Sequence, residues 1–212
     1  MKLVEMKVTD FVNELAGDSA VPGGGSVAAL AGSVAAGLVA MVARLTIGRK
    51  KYEDVWEAMA QVRDEADRLA DAFCDLVDRD AEAYKGVVDA FKMPRKTDDD
   101  KKARSAAIQG ATKQAAIVPL KTLKALAQIT DLAEETIHKG NSNCLTDVGT
   151  AVQMARAGAL GAAYNVRINL GSIKDQGEVA KLRKETDMLI TKVLKSAQSM
   201  EAMIEAGLGD PL

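Results

Sequence analysis

Two aspartates, four asparagines and a glycine-serine turn carry the groups in this chain best suited to chemistry. Asp147 follows the polar run Asn141-Ser142-Asn143-Cys144-Leu145-Thr146, at what reads as a helix entrance. A carboxylate there serves as a proton acceptor, or simply as an acid in the first turn of a helix. Asp80 and Tyr84 are four residues apart, on one face of a long helical pattern. A solvated face is the ordinary explanation of such a pair, and proton transfer is the functional one. Asn165 and Asn169 share a helical face with Gly158, Gly161 and Ala162, which suggests a concave polar site or hydrogen bonds between helices. Gly23-Gly24-Gly25-Ser26 leads into a run of small apolar residues, and free amides at a helix start can hold a carbonyl or anionic oxygen. Arg49-Lys50-Lys51 is a basic turn, solvated in most proteins but able to meet an anionic substrate.

Other chemistries fit less well. No Lys-Ser or Lys-Thr pair follows the glycines, so a phosphate-binding P-loop is excluded, and no strand precedes them as a dinucleotide fold requires. His138 is the only histidine, and its place in the last turn of a helix suits a dipole partner better than a catalyst. One histidine and two distant cysteines, Cys74 and Cys144, do not make a zinc site. A net charge of -2 offers no basic face for nucleic acid. Isolated cysteines and an N-terminus without a signal-peptide core read as a cytoplasmic protein. No charge occurs between Asp18 and Arg44, but the segment is rich in Ala, Gly and Ser, which favours a buried helix over a membrane span. Gly32, Ala36 and Ala40, and beside them Ser33 and Gly37, recur every four residues, a pattern for close helix contact within or between subunits.

The elements that must position these groups are helices. Only 3% of residues are aromatic and four are proline, while Ala, Leu, Lys and Glu abound. A short helix capped by Thr9 should run to Leu15, with Gly17 after it. A second starts at Gly25 or Ser26 and runs to Ile47, closed by Gly48. Val55, Met59, Val62, Ala66, Leu69, Phe73, Leu76 and Val77 keep the spacing of a third, over 53–91. Thr97 before three aspartates caps a fourth, running to His138 with Pro119 expected to kink or divide it. Further helices are expected over 148–169 and from Val179 to Ala206, with a frayed tail beyond. The whole chain, 1–212, reads as one all-α domain of long, roughly antiparallel helices.

The motifs in order resemble one family. Pro22-Gly-Gly-Gly-Ser-Val-Ala-Ala, Leu45-Thr-Ile-Gly-Arg-Lys-Lys-Tyr52 and Asp80-Ala-Glu-Ala-Tyr84 come first. Met93-Pro-Arg-Lys-Thr-Asp, Val118-Pro-Leu120, Gly140-Asn-Ser-Asn-Cys-Leu-Thr-Asp147 and Asn165-Val-Arg-Ile-Asn169 follow. Over almost its whole length the chain resembles the cyclodeaminase/cyclohydrolase family of folate enzymes. It departs mildly at Met93-Pro-Arg-Lys, where the family commonly has Leu-Pro-Lys-Asn.

The resemblance implies a helical subunit that forms a homodimer with its active site near the interface. It implies hydrolysis of 5,10-methenyltetrahydrofolate to 10-formyltetrahydrofolate, or cyclisation of 5-formiminotetrahydrofolate with loss of ammonia. The chain carries no formiminotransferase domain and its Thr46-to-Tyr52 turn looks closer to the cyclohydrolases, so the first reaction is favoured. A non-enzymatic helical binding module is the competing class, and the asparagine clusters speak against it. The expected catalytic acids are Asp80 and Asp147. Gly24, Gly25, Ser26, Tyr84, Asn141, Asn143, Asn165 and Asn169 are expected to bind substrate, while Arg49 and Lys50, with Lys51, receive the carboxylates of a polyglutamate tail. No metal or cofactor beyond the folate substrate, no nucleic acid and no membrane are expected.

Overall fold

Long alanine-rich segments, broken by few prolines, fold as helices in the computed structural model, which describes residues 2–209. Among these residues the α-helices are α1 (Val8–Leu15), α2 (Gly24–Thr46), α3 (Trp56–Lys92), α4 (Asp98–Lys139), α5 (Leu145–Leu170) and α6 (Gln176–Leu208). Short 3₁₀ turns at Leu3–Glu5, Lys50–Val55 and Ser142–Cys144 join them, and no described residue lies in a strand. Helices α2, α4 and α6 run one way, and α3 and α5 return between them. This is the expected antiparallel all-α bundle.

Helix α2 lies at the centre, packed on α3, α5 and α4. Its Ala29, Ala35, Ala36, Val39, Val42 and Ala43 are fully buried, and their small size lets neighbouring backbones come close. From α3, Met59, Val62, Leu69, Phe73 and Val77 fill the space against it, as their spacing predicts. Each such large side chain contributes about 1.5–3 kcal/mol on burial. By length and composition α2 could cross a membrane, yet most of it is buried inside the bundle.

The helix ends both match and correct the sequence reading. The Thr97 hydroxyl accepts the Asp100 N–H at 3.1 Å and the Asp100 carboxylate accepts the Thr97 N–H at 3.0 Å, a full capping box. Thr9, by contrast, lies inside α1, whose first turn follows Lys7 with no side-chain cap. α5 begins three residues before Val148, because the 3₁₀ turn Ser142–Cys144 runs straight into it. Asp175, rather than a residue near Val179, starts α6 by accepting the Gly177 and Glu178 N–H groups. Gly207 and Leu208 are still helical, so the tail begins later than expected, and its last residues, 210–212, lie outside the described residues.

Pro119 does not divide α4, which continues through 42 residues. Proline lacks the N–H that would meet the Ala115 carbonyl. Asn169 of α5 replaces it, donating its Nδ2–H to that carbonyl at 3.1 Å.

Candidate active site

The start of α2 builds one polar cluster. Ser26 sits in its first turn, fully buried, and its hydroxyl donates to the Val77 carbonyl of α3 at 3.0 Å. The same oxygen lies 3.2 Å from Asp80 Oδ2, one turn further along α3. A hydroxyl holds one proton. That one proton is shared between the Val77 carbonyl and Asp80 Oδ2, both acceptors of the Ser26 hydroxyl. Burial pushes the Asp80 carboxyl above its usual range, and the Ser26 hydroxyl and N–H pull against that. Asp80 is thus a part-buried carboxyl with a raised pKa at the positive end of a helix.

Gly25 makes this possible. A Cβ at that position would overlap the Asp80 carboxylate. On the other side, a Cβ at Gly24 would reach within 3.4 Å of Asn165 Nδ2. Asn165 donates to the Gly161 carbonyl at 2.9 Å, and its Oδ1 has no partner among the described residues. Gly24, Gly25, Ser26, Asp80 and Asn165 are therefore brought together. Tyr84, 45% exposed, lines a shallow cleft beside them with Val21, Ala81 and Lys85. Asn169 stands one turn from Asn165, but its amide donates to Ala115 and to the Asn165 carbonyl at 2.8 Å. One of these bonds joins α5 to α4 and the other stays within α5, so the amide hydrogens are engaged inside the bundle.

The end of α2 builds a second cluster. Asn141 is 4% exposed and every polar atom of its side chain is engaged. Its Nδ2 donates to Leu45 O at 3.2 Å, its Oδ1 accepts the Asn143 N–H at 3.1 Å, and its own N–H donates to Thr46 Oγ1 at 2.8 Å. Asn141 is a cap that ties α2 to the entrance of α5, in place of the substrate contact its residue type suggested. Truncating it leaves buried partners unpaired. Asn141→Ala should lower stability by about 2 kcal/mol, read as a fall in Tm of roughly 4–8 °C by thermal denaturation.

Around this cap stand the basic turn and Asp147. Asp147 lies in the first turn of α5 and Arg49 ends the α2 loop. Both act on the buried Cys144 thiol, which burial and then Asp147 push up and Arg49 pulls down. Arg49 and Lys50 are exposed and form no ion pair among the described residues, and Asn143 is exposed beside them. Sequence reasoning missed Tyr52. Its hydroxyl lies 3.1 Å from Ser142 Oγ and accepts the Ser142 N–H at 3.1 Å. Those two contacts, and Lys51 beside the ring, hold the phenol below its usual range. The signal was its place directly after the basic run.

The two clusters are separate. Ser26 and Thr46 are twenty residues apart on one helix, so about 30 Å divides the Asp80 group from the Asp147 group within a subunit. Among the described residues no three His, Cys, Asp or Glu side chains gather as a metal site would require.

Comparisons with known proteins bear on what this geometry does. A family model described as formiminotransferase-cyclodeaminase matches residues 7–188. The methenyltetrahydrofolate cyclohydrolase of Methylorubrum extorquens is 38% identical over 185 residues, covering 87% of this chain and 89% of that protein. The formimidoyltransferase-cyclodeaminase of Mus musculus is 32% identical over 97% of this chain, which spans only 37% of that longer protein. Among solved structures, the formiminotetrahydrofolate cyclodeaminase of Thermotoga maritima superposes with a TM-score of 0.88 at 26% identity, covering 96% of this chain and 98% of that one.

Proposed function

Since the chain belongs to the formiminotransferase-cyclodeaminase family, we propose that it is an enzyme hydrolysing 5,10-methenyltetrahydrofolate to 10-formyltetrahydrofolate. One observation carries the choice of reaction. The cyclohydrolase relative is 38% identical over 89% of its length, against 32% for the mouse cyclodeaminase relative.

The carbon between N5 and N10 of the methenyl cation is already electrophilic, so the reaction calls on proton transfer and positioning and not on a metal or redox cofactor. Water adds to that carbon and gives up a proton to a carboxylate. The C–N5 bond of the tetrahedral intermediate then breaks, N5 takes a proton, and the formyl group stays on N10. One proton is released overall. Asp80 is the proton acceptor in this reading, supported by its burial, its contact with Ser26 and its raised carboxyl pKa. Asn165 Oδ1, Ser26 and the α2 amides orient the water and the pterin. Arg49 and Lys50 receive the carboxylates of a polyglutamate tail, which an exposed guanidinium and ammonium suit. The active unit is a homodimer, and the free thiols of Cys74 and Cys144 suit a cytoplasmic setting.

The Thermotoga likeness favours a second reading, closure of 5-formiminotetrahydrofolate to the methenyl form with release of ammonia. Two substrates separate the readings. Purified enzyme should remove the near-ultraviolet band of the methenyl compound faster than buffer does, and release no ammonia from the formimino compound. Ammonia release with growth of the same band would reverse the assignment.

A further inference from the structure

Past the Asp80 cluster, the turn from α3 to α4 meets the turn from α5 to α6. Helix α3 continues beyond Asp80 to Lys92, about 18 Å along its axis. Gln109 of α4 pins the α5–α6 turn in place. Its Nε2 donates to the Ser172 carbonyl at 3.0 Å and its Oε1 accepts the Lys174 N–H at 2.8 Å. Here a cavity of about 410 Å³ opens, within the size range of small-molecule sites.

The walls of this cavity are cationic. Arg95 comes from the turn before α4, Lys101 and Arg104 from the first two turns of α4, and Lys174 from the turn before α6. No described acid lines it. The acids nearby are engaged elsewhere: Asp98 accepts from Lys101 Nζ at 2.8 Å, Asp100 closes the Thr97 capping box, and Asp175 caps α6. Arg95, Arg104 and Lys174 form no ion pair among the described residues. Unpaired like charges around one hollow raise its potential, and a bound anion relieves their repulsion.

Several donors there are also unused. Arg104 is held by its Nε and Nη2, which donate to the Phe91 carbonyl at 3.3 and 3.0 Å, with its guanidinium over the Phe91 ring. Its Nη1 keeps two N–H groups without a partner among the described residues. Lys174 Nζ donates to Ser105 Oγ at 3.2 Å, which leaves the Ser105 proton and two ammonium protons to give. Lys101, Arg104, Ser105 and Ile108 follow the three-four spacing of one α4 face, so these donors gather in a small volume. An anion with two or more charges on one compact group matches that gathering, as a phosphate ester or a diphosphate does. A γ-linked glutamate chain sets its carboxylates several bonds apart and matches it less well.

We propose that this cavity binds a phosphorylated small molecule. Arg104 Nη1, Lys174 Nζ and the Ser105 hydroxyl take its phosphate oxygens, and Arg95 and Lys101 add charge around them. The site is separate from the Asp80 cluster and rests on no part of the folate reading.

Inorganic pyrophosphate in metal-free, low-salt buffer is the probe, titrated calorimetrically into the full chain. One saturable site per chain is expected. Arg104→Gln and Lys174→Gln should each weaken it at least about tenfold with an unchanged helical circular dichroism spectrum, because each removes a charge-assisted contact. Lys174 is exposed, so Lys174→Gln reads the site even where Arg104→Gln disturbs the end of α3. Arg49→Gln combined with Lys50→Gln, at the opposite end of the bundle, should leave the binding as it is. A titration without saturable heat overturns the proposal, and so does binding that both cavity variants keep or that the Arg49 and Lys50 variant loses. Pentaglutamate that displaces pyrophosphate at a lower concentration than it was bound, and fails to bind Lys174→Gln, assigns the cavity to a polycarboxylate and overturns the phosphate ligand. A chain that binds pyrophosphate in the cavity and leaves folate untouched supports this site and removes only the proposed reaction.

Discussion

Asp80→Asn is expected to lower kcat at least about 10²-fold while the helical bundle stays intact. Asparagine keeps the shape of the side chain and the contact with Ser26 Oγ, but cannot accept a proton from water. The pH profile carries the same prediction in a second form. As a base Asp80 works ionised, so kcat/KM rises with pH through its pKa. Burial holds that pKa above the ordinary aspartate range, and the acid limb should lie correspondingly high. Asp80→Asn should erase the limb. Stability moves the opposite way. A carboxyl whose pKa is raised on folding contributes stability below its unfolded pKa, and that contribution is lost as pH rises through the folded pKa. At neutral pH the wild type therefore carries the cost of a half-buried charge, and the variant should melt higher. The gap should close as the solution is acidified. Wild-type turnover in Asp80→Asn would remove Asp80 from the reaction altogether.

The second large effect is expected from one methyl group. Gly25→Ala places a Cβ where the Asp80 carboxylate now sits. Two backbones cannot separate easily at this point, because Ser26 beside it is fully buried and bonded to the Val77 carbonyl. The carboxylate must move, and a displacement of about 1 Å at a reacting group costs on the order of 10² in rate. Overpacking should also lower stability by about 1–3 kcal/mol. Steady-state kinetics and a thermal melt on the same preparation read both. Gly37→Ala is the internal control for the subunit's fold. The same methyl group added to the same helix meets open space there and should leave the melting of an isolated subunit unchanged or slightly raised. Normal kcat in Gly25→Ala would mean that Asp80 need not sit against the start of α2.

Much of the fold was legible because apolar spacing and chain breaks are local. The run from Val55 to Val77 names the buried face of α3, and the Thr97 box names the start of α4. What escaped depends on partners far along the chain. Pro119 reads as a helix breaker until Asn169, 50 residues on, supplies a donor to the Ala115 carbonyl. Asn141 reads as a ligand until its amide is seen on Leu45, 96 residues back. Residue types and motif order pointed to the polar groups, and the glycine-serine turn did meet Asp80 and Asn165. Motif order does not say at which end of a bundle each motif lands. That placement follows from helix length and direction, and it divides the candidates into two clusters about 30 Å apart. Tyr52 escaped because its importance lies in its contact with Ser142, ninety residues away.

In the proposed reaction water adds to the methenyl carbon with Asp80 as proton acceptor. The most direct measurement is the decay of the near-ultraviolet band of 5,10-methenyltetrahydrofolate, recorded in parallel for buffer, wild type and Asp80→Asn at one enzyme concentration. Wild type should remove the band rapidly, yielding 10-formyltetrahydrofolate, and Asp80→Asn should act at about 1% of that rate or less above buffer. A wild-type trace that overlays buffer, or two enzyme traces that overlay each other, would contradict it.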